Sequence, residues 1–319
     1  DSDEGVKNYG ERSMSLENRI KGFDNLGTRF EHQRVGSLLV AHRIRPDLFE
    51  RLQMAAALYI SRSLKGDRFV RHESALMYAL DMEYSDIRNI TPNGMIVPKN
   101  YNTLEYNMLV RAFSSIIESL GITDLISSWH IPLNLRYKQG KVNEENMLRH
   151  HPTEHIHSDS WAGESSESVT VHIPIFGDTD RNYVSFYEPP SDFDESWLGA
   201  LPSYKDGEEI AQRYTKLGYV PRKGDVHLAD FAGLHASTRV PGAKSRITID
   251  TTFVLKRPGD NRSPEKIHHW RENERASPHM LSNLGKEKLF YFPDGDDSFV
   301  DSEGGFKHPS NLHIMNLEV

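Results

Sequence analysis

The chain has 319 residues, 37% hydrophobic and 26% charged, the make-up of a soluble globular enzyme long enough to bury a real core. A net charge of -8, with no dense Lys/Arg stretch, argues against a nucleic-acid partner, because phosphates need clustered cations. The absence of cysteine excludes disulfides, thiolate metal sites, iron–sulfur clusters and cysteine nucleophiles, and no apolar run is long enough to span a bilayer. Nothing after Asp1 resembles a signal peptide, so a cytoplasmic enzyme is expected.

Residues 1–30 are polar, with Gly5, Gly10, Gly22 and Gly27, and predict an irregular lead-in. Residues 46–64 predict a helix: Pro46 suits its first position, and Leu48, Leu52, Ala55, Ala56 and Tyr59 form an apolar stripe. A second helix should start near residue 103. Asn102 with Glu105 suits a capping box, and Leu109, Phe113, Ile116, Ile117 and Leu120 form its buried face.

After Gly121 the pattern changes to short β-rich runs bounded by Gly, Pro, Asn and Asp. These are Trp129–Lys138, Val169–Phe176, Tyr183–Tyr187, Gly218–Val220, Asp225–Leu228 and Arg246–Leu255. Helices first and strands afterwards predict an α+β, mainly β chain with a sandwich or open barrel. The expected organisation is a helical support over 1–125, a β core over 126–260 and an extension over 261–319, together one catalytic domain. Residues 190–218 form a polar insert, helical in part from Tyr204 to Leu217, with equal claim to be a lid or a structural piece.

His157-Ser158-Asp159 can bring an imidazole and a carboxylate to one metal, since side chains two apart on a strand share a face. Alone, His157 is better explained as a surface or hydrogen-bonded histidine. Downstream, His235 ends a strand-like run and Arg246 opens the next, so the two are expected side by side in a hairpin. Arginine suits a carboxylate because its planar fork binds both oxygens, and Thr248, on the same face, adds a hydrogen bond. Two histidines and one carboxylate leave three positions open on octahedral iron, the facial triad of non-haem iron oxygenases; zinc on the same ligands is chemically possible.

The order His157-x-Asp159, a long gap, His235, then Arg246-x-Thr248 resembles the Fe(II)/2-oxoglutarate-dependent dioxygenase superfamily, particularly its phytanoyl-CoA-hydroxylase-like branch. The resemblance covers roughly residues 129–255. It implies a double-stranded β-helix (jelly-roll) core braced by N-terminal helices, with His157, Asp159 and His235 binding iron and Arg246 anchoring the distal carboxylate of 2-oxoglutarate. It also implies O2 as co-substrate, oxidative decarboxylation to succinate, and attack on an unactivated C–H bond. Halogenating relatives carry a small residue in place of Asp159, so a hydroxylase or related oxidase is expected. Arg246 separates the chain from the Jumonji-type branch, which usually anchors the co-substrate with lysine.

Other residues are weighed beside these. His155 is a weaker ligand, because the partner position is then histidine. His172, in an apolar strand, reads as a hydrogen-bonded core histidine. Trp161 reads equally as a wall of the substrate pocket or as core. Arg136 shares a strand face with Asn134 and Lys138 and can touch the co-substrate, although a solvated face is the blander reading; Asn182 is a further candidate to orient the co-substrate. The acidic run Asp294–Glu303 begins like a calcium loop but has Phe299 where glycine is needed, so it reads as a surface loop. The expected substrate is a polar small molecule such as a sugar, an amino acid or a natural-product intermediate. The alternatives are a protein-modifying oxygenase, or a non-redox jelly-roll that binds a ligand or isomerises a sugar.

Overall fold

The computed structural model describes residues 15–64, 69–87, 89–131 and 133–256, and three short strands beyond them. The acidic run Asp294–Glu303 lies outside the described residues. Within the described part of the lead-in, Leu16–Gly27 is a helix, α1, whose first turn is capped by Ser15 Oγ accepting from the Asn18 N–H at 3.2 Å. Its glycines misled the sequence reading. Gly22 faces open space mid-helix, while Phe23, Leu26 and Arg19 bury the other side.

Pro46–Ser63 forms α2 with proline at its start, and all five stripe residues are buried. Glu73–Glu83 (α3) was not anticipated. Thr103–Ser119 forms α4 and buries the expected face, but the capping box does not form. Asn102 instead accepts from the Lys99 N–H (2.7 Å) and donates to Ser63 Oγ (3.0 Å), tying α4 to α2.

The strands are β1 Gln33–Gly36, β2 Leu39–Arg43, β3 Met95–Ile96, β4 Ile126–Ile131, β5 Asn134–Lys138, β6 Ser168–Gly177 and β7 Asn182–Glu188. They continue with β8 Thr215–Lys216, β9 Asp225–Asp230, β10 Leu234–Arg239, β11 Arg246–Leu255, β12 Met280–Ser282, β13 Lys288–Tyr291 and β14 His313–Asn316. The run Trp129–Lys138 is therefore two strands, broken where the Leu133 N–H turns to the Tyr106 hydroxyl at 2.8 Å. Gly218–Val220 is not a strand, and pairing ends earlier, at Lys216.

The pairings described are antiparallel. A large sheet runs β1-β2-β9-β6-β11-β4-β12, with β5 also on β11 and β3 on β5. A small sheet is β10-β7-β8, and β13 pairs with β14. The 1–125 region is thus more than a helical brace, because β1, β2 and β3 join the large sheet. Alternation along β11 divides its side chains. Ile247, Ile249 and Phe253 enter the core, where Phe113 of α4 stacks on Trp129 with ring centroids 5.8 Å apart. Arg246, Thr248 and Asp250 face the opposite way, into a polar cavity.

The 190–218 insert holds short helical turns and β8 and builds a second core from Trp161, Tyr204, Ala211, Tyr214 and Leu234. It is fastened through Arg19, whose Nη1 donates to Asp230 Oδ1 (2.8 Å) and whose Nε donates to Glu195 Oε2 (3.0 Å). The Arg19 side chain is wholly buried. Breaking a buried ion pair on one side typically costs about 3–5 kcal/mol, because the remaining charge is stranded. Arg19→Met is therefore expected to lower the unfolding free energy by an amount of that order, read as a lower urea midpoint at unchanged slope, with Arg19→Lys in between. Among the described residues, no helix is long and apolar enough to cross a membrane.

Candidate active site

His157 is joined to His235 by a single antiparallel bridge: the His157 N–H donates to the His235 carbonyl (3.0 Å) and the His235 N–H to the His157 carbonyl (2.9 Å). Asp159 then opens a short turn, Asp159–Ala162, capped by Ser158 Oγ. The two residues therefore do not share a face of one regular strand, as the spacing suggested; a bridge followed by a turn brings them together. Asp159 Oδ1 lies 3.5 Å from His157 Nε2, and Oδ2 lies 3.8 Å from His235 Nε2.

One ligand atom from each of the three residues falls within 4.8 Å of the others, the one such group found among the described residues. His157 Nδ1 donates to the His155 carbonyl at 2.7 Å, which leaves the Nε2 lone pair facing Asp159. That Nε2 is buried and has no hydrogen-bond partner. Such an orphan fits a metal ligand, and the nitrogen–oxygen donor set fits iron(II). Burial pushes His235 down to about 4. Burial alone would raise Asp159, but its neighbours His235, His157 and Arg136 hold it below the ordinary carboxylate range.

His235 and Arg246 are not hairpin neighbours. β10 pairs with β7 in the small sheet (His235 opposite Phe186), whereas β11 lies at the centre of the large one. The chain changes sheet between them, so the metal group and the arginine face each other across the cavity. Arg246 is 1% exposed. Its Nε donates to Asn182 Oδ1 (3.0 Å) and its Nη1 to Thr248 Oγ1 (2.8 Å), and no described carboxylate forms an ion pair with it. Burial pushes it down to about 9, so it remains a cation at neutral pH.

Asn182, fully buried, spends its amide on the carbonyls of Lys138, Gln139 and Lys244 and does not line the cavity. Its contact is with the guanidinium. Arg136 is not on a solvated face: it lines the cavity, with Nε and Nη2 on Asp250 at 2.7 and 3.2 Å, and Asn134 donates to the same carboxylate at 2.8 Å. Trp161 belongs to the second core. Its indole N–H donates to the Trp197 carbonyl, and a Cβ on Gly207 would sit 2.4 Å from its ring. That close packing leaves it no face on the cavity.

Several residues here escaped the sequence reading. Ser237, two positions after His235 and therefore on its face, lines the cavity, as does Asp250, two after Thr248. Alternation alone would have found both. Tyr204 of the insert stacks on the His157 ring, centroids 4.0 Å apart at 18°, and no local signal in the sequence announces it. His172, expected as a hydrogen-bonded core residue, lines the cavity with neither ring nitrogen partnered.

No family model and no curated protein matches the sequence. Solved structures do match. The epimerase SnoN of nogalamycin biosynthesis has a TM-score of 0.42 at 12% identity, over 74% of this chain and 80% of that one. The carbocyclase SnoK of the same biosynthesis has 0.41 at 12%, over 77% and 87%. An N-substituted L-amino acid dioxygenase from Burkholderia ambifaria, in complex with α-ketoglutarate, has 0.35 at 12%, over 75% and 87%. SnoN and SnoK are described as non-haem, α-ketoglutarate-dependent enzymes.

Proposed function

We propose that this chain is an Fe(II)/2-oxoglutarate-dependent oxygenase with a jelly-roll catalytic domain, oxidising a C–H bond of a polar small molecule. One juxtaposition carries the reading: a two-histidine, one-carboxylate group with an orphaned nitrogen shares one cavity with a buried arginine that has no ion-pair partner among the described residues. A buried charge is tolerated when something pairs with it, and the carboxylate of a ligand would do so here.

His157, Asp159 and His235 would hold the iron, which with 2-oxoglutarate and O2 supplies the oxidising power to cleave a C–H bond. The rest is the work of the protein. The His155 carbonyl holds the Nδ1 proton of His157, fixing its tautomer. Asn182 and Thr248 fix the plane of the Arg246 guanidinium, so its remaining N–H groups can receive the distal carboxylate. Phe186 and Val184 cover the small-sheet side with apolar surface. Arg136, Asp250 and Asn134 hold one another in a fixed polar cluster on the large-sheet side, which supports a polar substrate. The reading includes a cytoplasmic setting, where iron(II) stays reduced, and no nucleic-acid partner, in keeping with the net charge of -8.

Adding iron(II) and 2-oxoglutarate to metal-free protein without oxygen should produce the weak visible charge-transfer band of a chelated 2-oxo acid. No band, with zinc retained or no metal bound, would move the reading to a non-redox jelly-roll. Asn182 acts through Arg246, so Asn182→Ala is expected to raise KM for 2-oxoglutarate by about tenfold with little change in kcat, the ~1.4 kcal/mol of one charged hydrogen bond. An equal fall in kcat would argue against a positioning role.

A further inference from the structure

His172 stands in the large sheet between two cross-strand neighbours, His227 on β9 and Asp250 on β11. His227 is fully satisfied: its Nε2 meets the Tyr219 hydroxyl at 3.0 Å and its Nδ1 the His172 carbonyl at 3.2 Å. Asp250 is held by Arg136 and Asn134. The His172 ring, 4% exposed, has neither nitrogen bonded and neither reached by solvent, although the residue lines the cavity. An unmade buried hydrogen bond costs about 1–3 kcal/mol, so an imidazole left with two is poor design unless a ligand completes it. The same kind of orphan, His157 Nε2, faces the position proposed for the metal.

The surroundings of His172 say which ligand chemistry suits it. Phe186 meets its ring at 75° with centroids 6.4 Å apart, leaving an apolar wall on one side. The cations beside it at neutral pH are Arg246 and Arg136, since burial also pushes His227 and His235 down to about 4. Burial first, and then these groups, push it well below the ordinary imidazole range, so it is neutral and carries one N–H. A neutral donor lining the same cavity as the Arg246 guanidinium suits an anion.

We propose that His172 is a ligand-binding residue of this cavity, donating its ring N–H to the carboxylate that Arg246 receives. A turn about χ2, a broad torsion in histidine, would bring a nitrogen to the cavity face. The inference rests on the proposed function and adds to it a neutral donor beside the guanidinium.

The test is a calorimetric titration of 2-oxoglutarate into zinc-loaded protein, with thermal melts of each variant without ligand. His172→Phe should melt no lower than wild type, because it removes two unsatisfied groups, yet bind 2-oxoglutarate at least tenfold more weakly. His172→Gln, which keeps a donor, should fall between, and it carries the comparison if the Phe variant fails to fold. Unchanged affinity in a folded His172 variant, alongside lost affinity in Arg246→Leu, would overturn the His172 assignment and leave the oxygenase reading standing; a water held by His172 would give that result. No binding by wild type would overturn both.

Discussion

His157→Ala is expected to lower 2-oxoglutarate turnover by at least about three orders of magnitude, the equivalent of ~4 kcal/mol in the barrier. The imidazole is fully buried, its Nδ1 is held by the His155 carbonyl, and its Nε2 faces Asp159 with no other partner. On the oxygenase reading alanine would remove one of three metal ligands, and it would open a void beneath the stacked Tyr204. The measurement is twofold: iron retained per chain after dialysis, and succinate released per minute. Both should collapse together in the variant, with the far-ultraviolet spectrum unchanged. A variant that kept its iron and its turnover would show that the metal lies elsewhere.

Arg246→Leu should have the second-largest effect and a different signature. A charge-assisted hydrogen bond contributes roughly 1.5–3 kcal/mol, so losing a bidentate contact should raise KM for 2-oxoglutarate by about 100- to 1,000-fold. Iron affinity should be nearly unchanged, since the metal group lies on the far side of the cavity. Because Arg246 is a buried cation without an ion-pair partner among the described residues, its removal should leave the ligand-free protein at least as stable as wild type. Arg246→Lys should recover only part of the affinity, because an ammonium is a point charge and not a fork. A large drop in melting temperature with no change in KM would mark Arg246 as structural.

The sequence made the α2 and α4 stripes legible because helical periodicity repeats over several turns, and each residue in those stripes is buried. The β-rich runs were legible in place but not in pairing. Nothing local distinguishes a hairpin from a strand that crosses to the other sheet, and so His235 and Arg246 were set side by side when they stand opposite. Glycine was over-read as a breaker in α1, where tertiary burial of Phe23 and Leu26 outweighs the weak propensity of Gly22. The polar face of β11 was half read: Arg246 and Thr248 stood out by type, while the pairing of Asp250 with Arg136 depends on which strand lies alongside. Tyr204 reaches His157 through an insert whose path only the whole fold determines.

The crossing of the chain from β10 to β11 also sets a length. The metal group sits on the small-sheet side and the guanidinium on the large sheet, and packed sheets keep a separation of about 10 Å that side-chain motion barely alters. On the oxygenase reading, a dicarboxylate must touch both walls at once, so the cavity works as a calliper. Homologues one carbon shorter or longer than the five-carbon 2-oxo diacid should therefore bind more weakly.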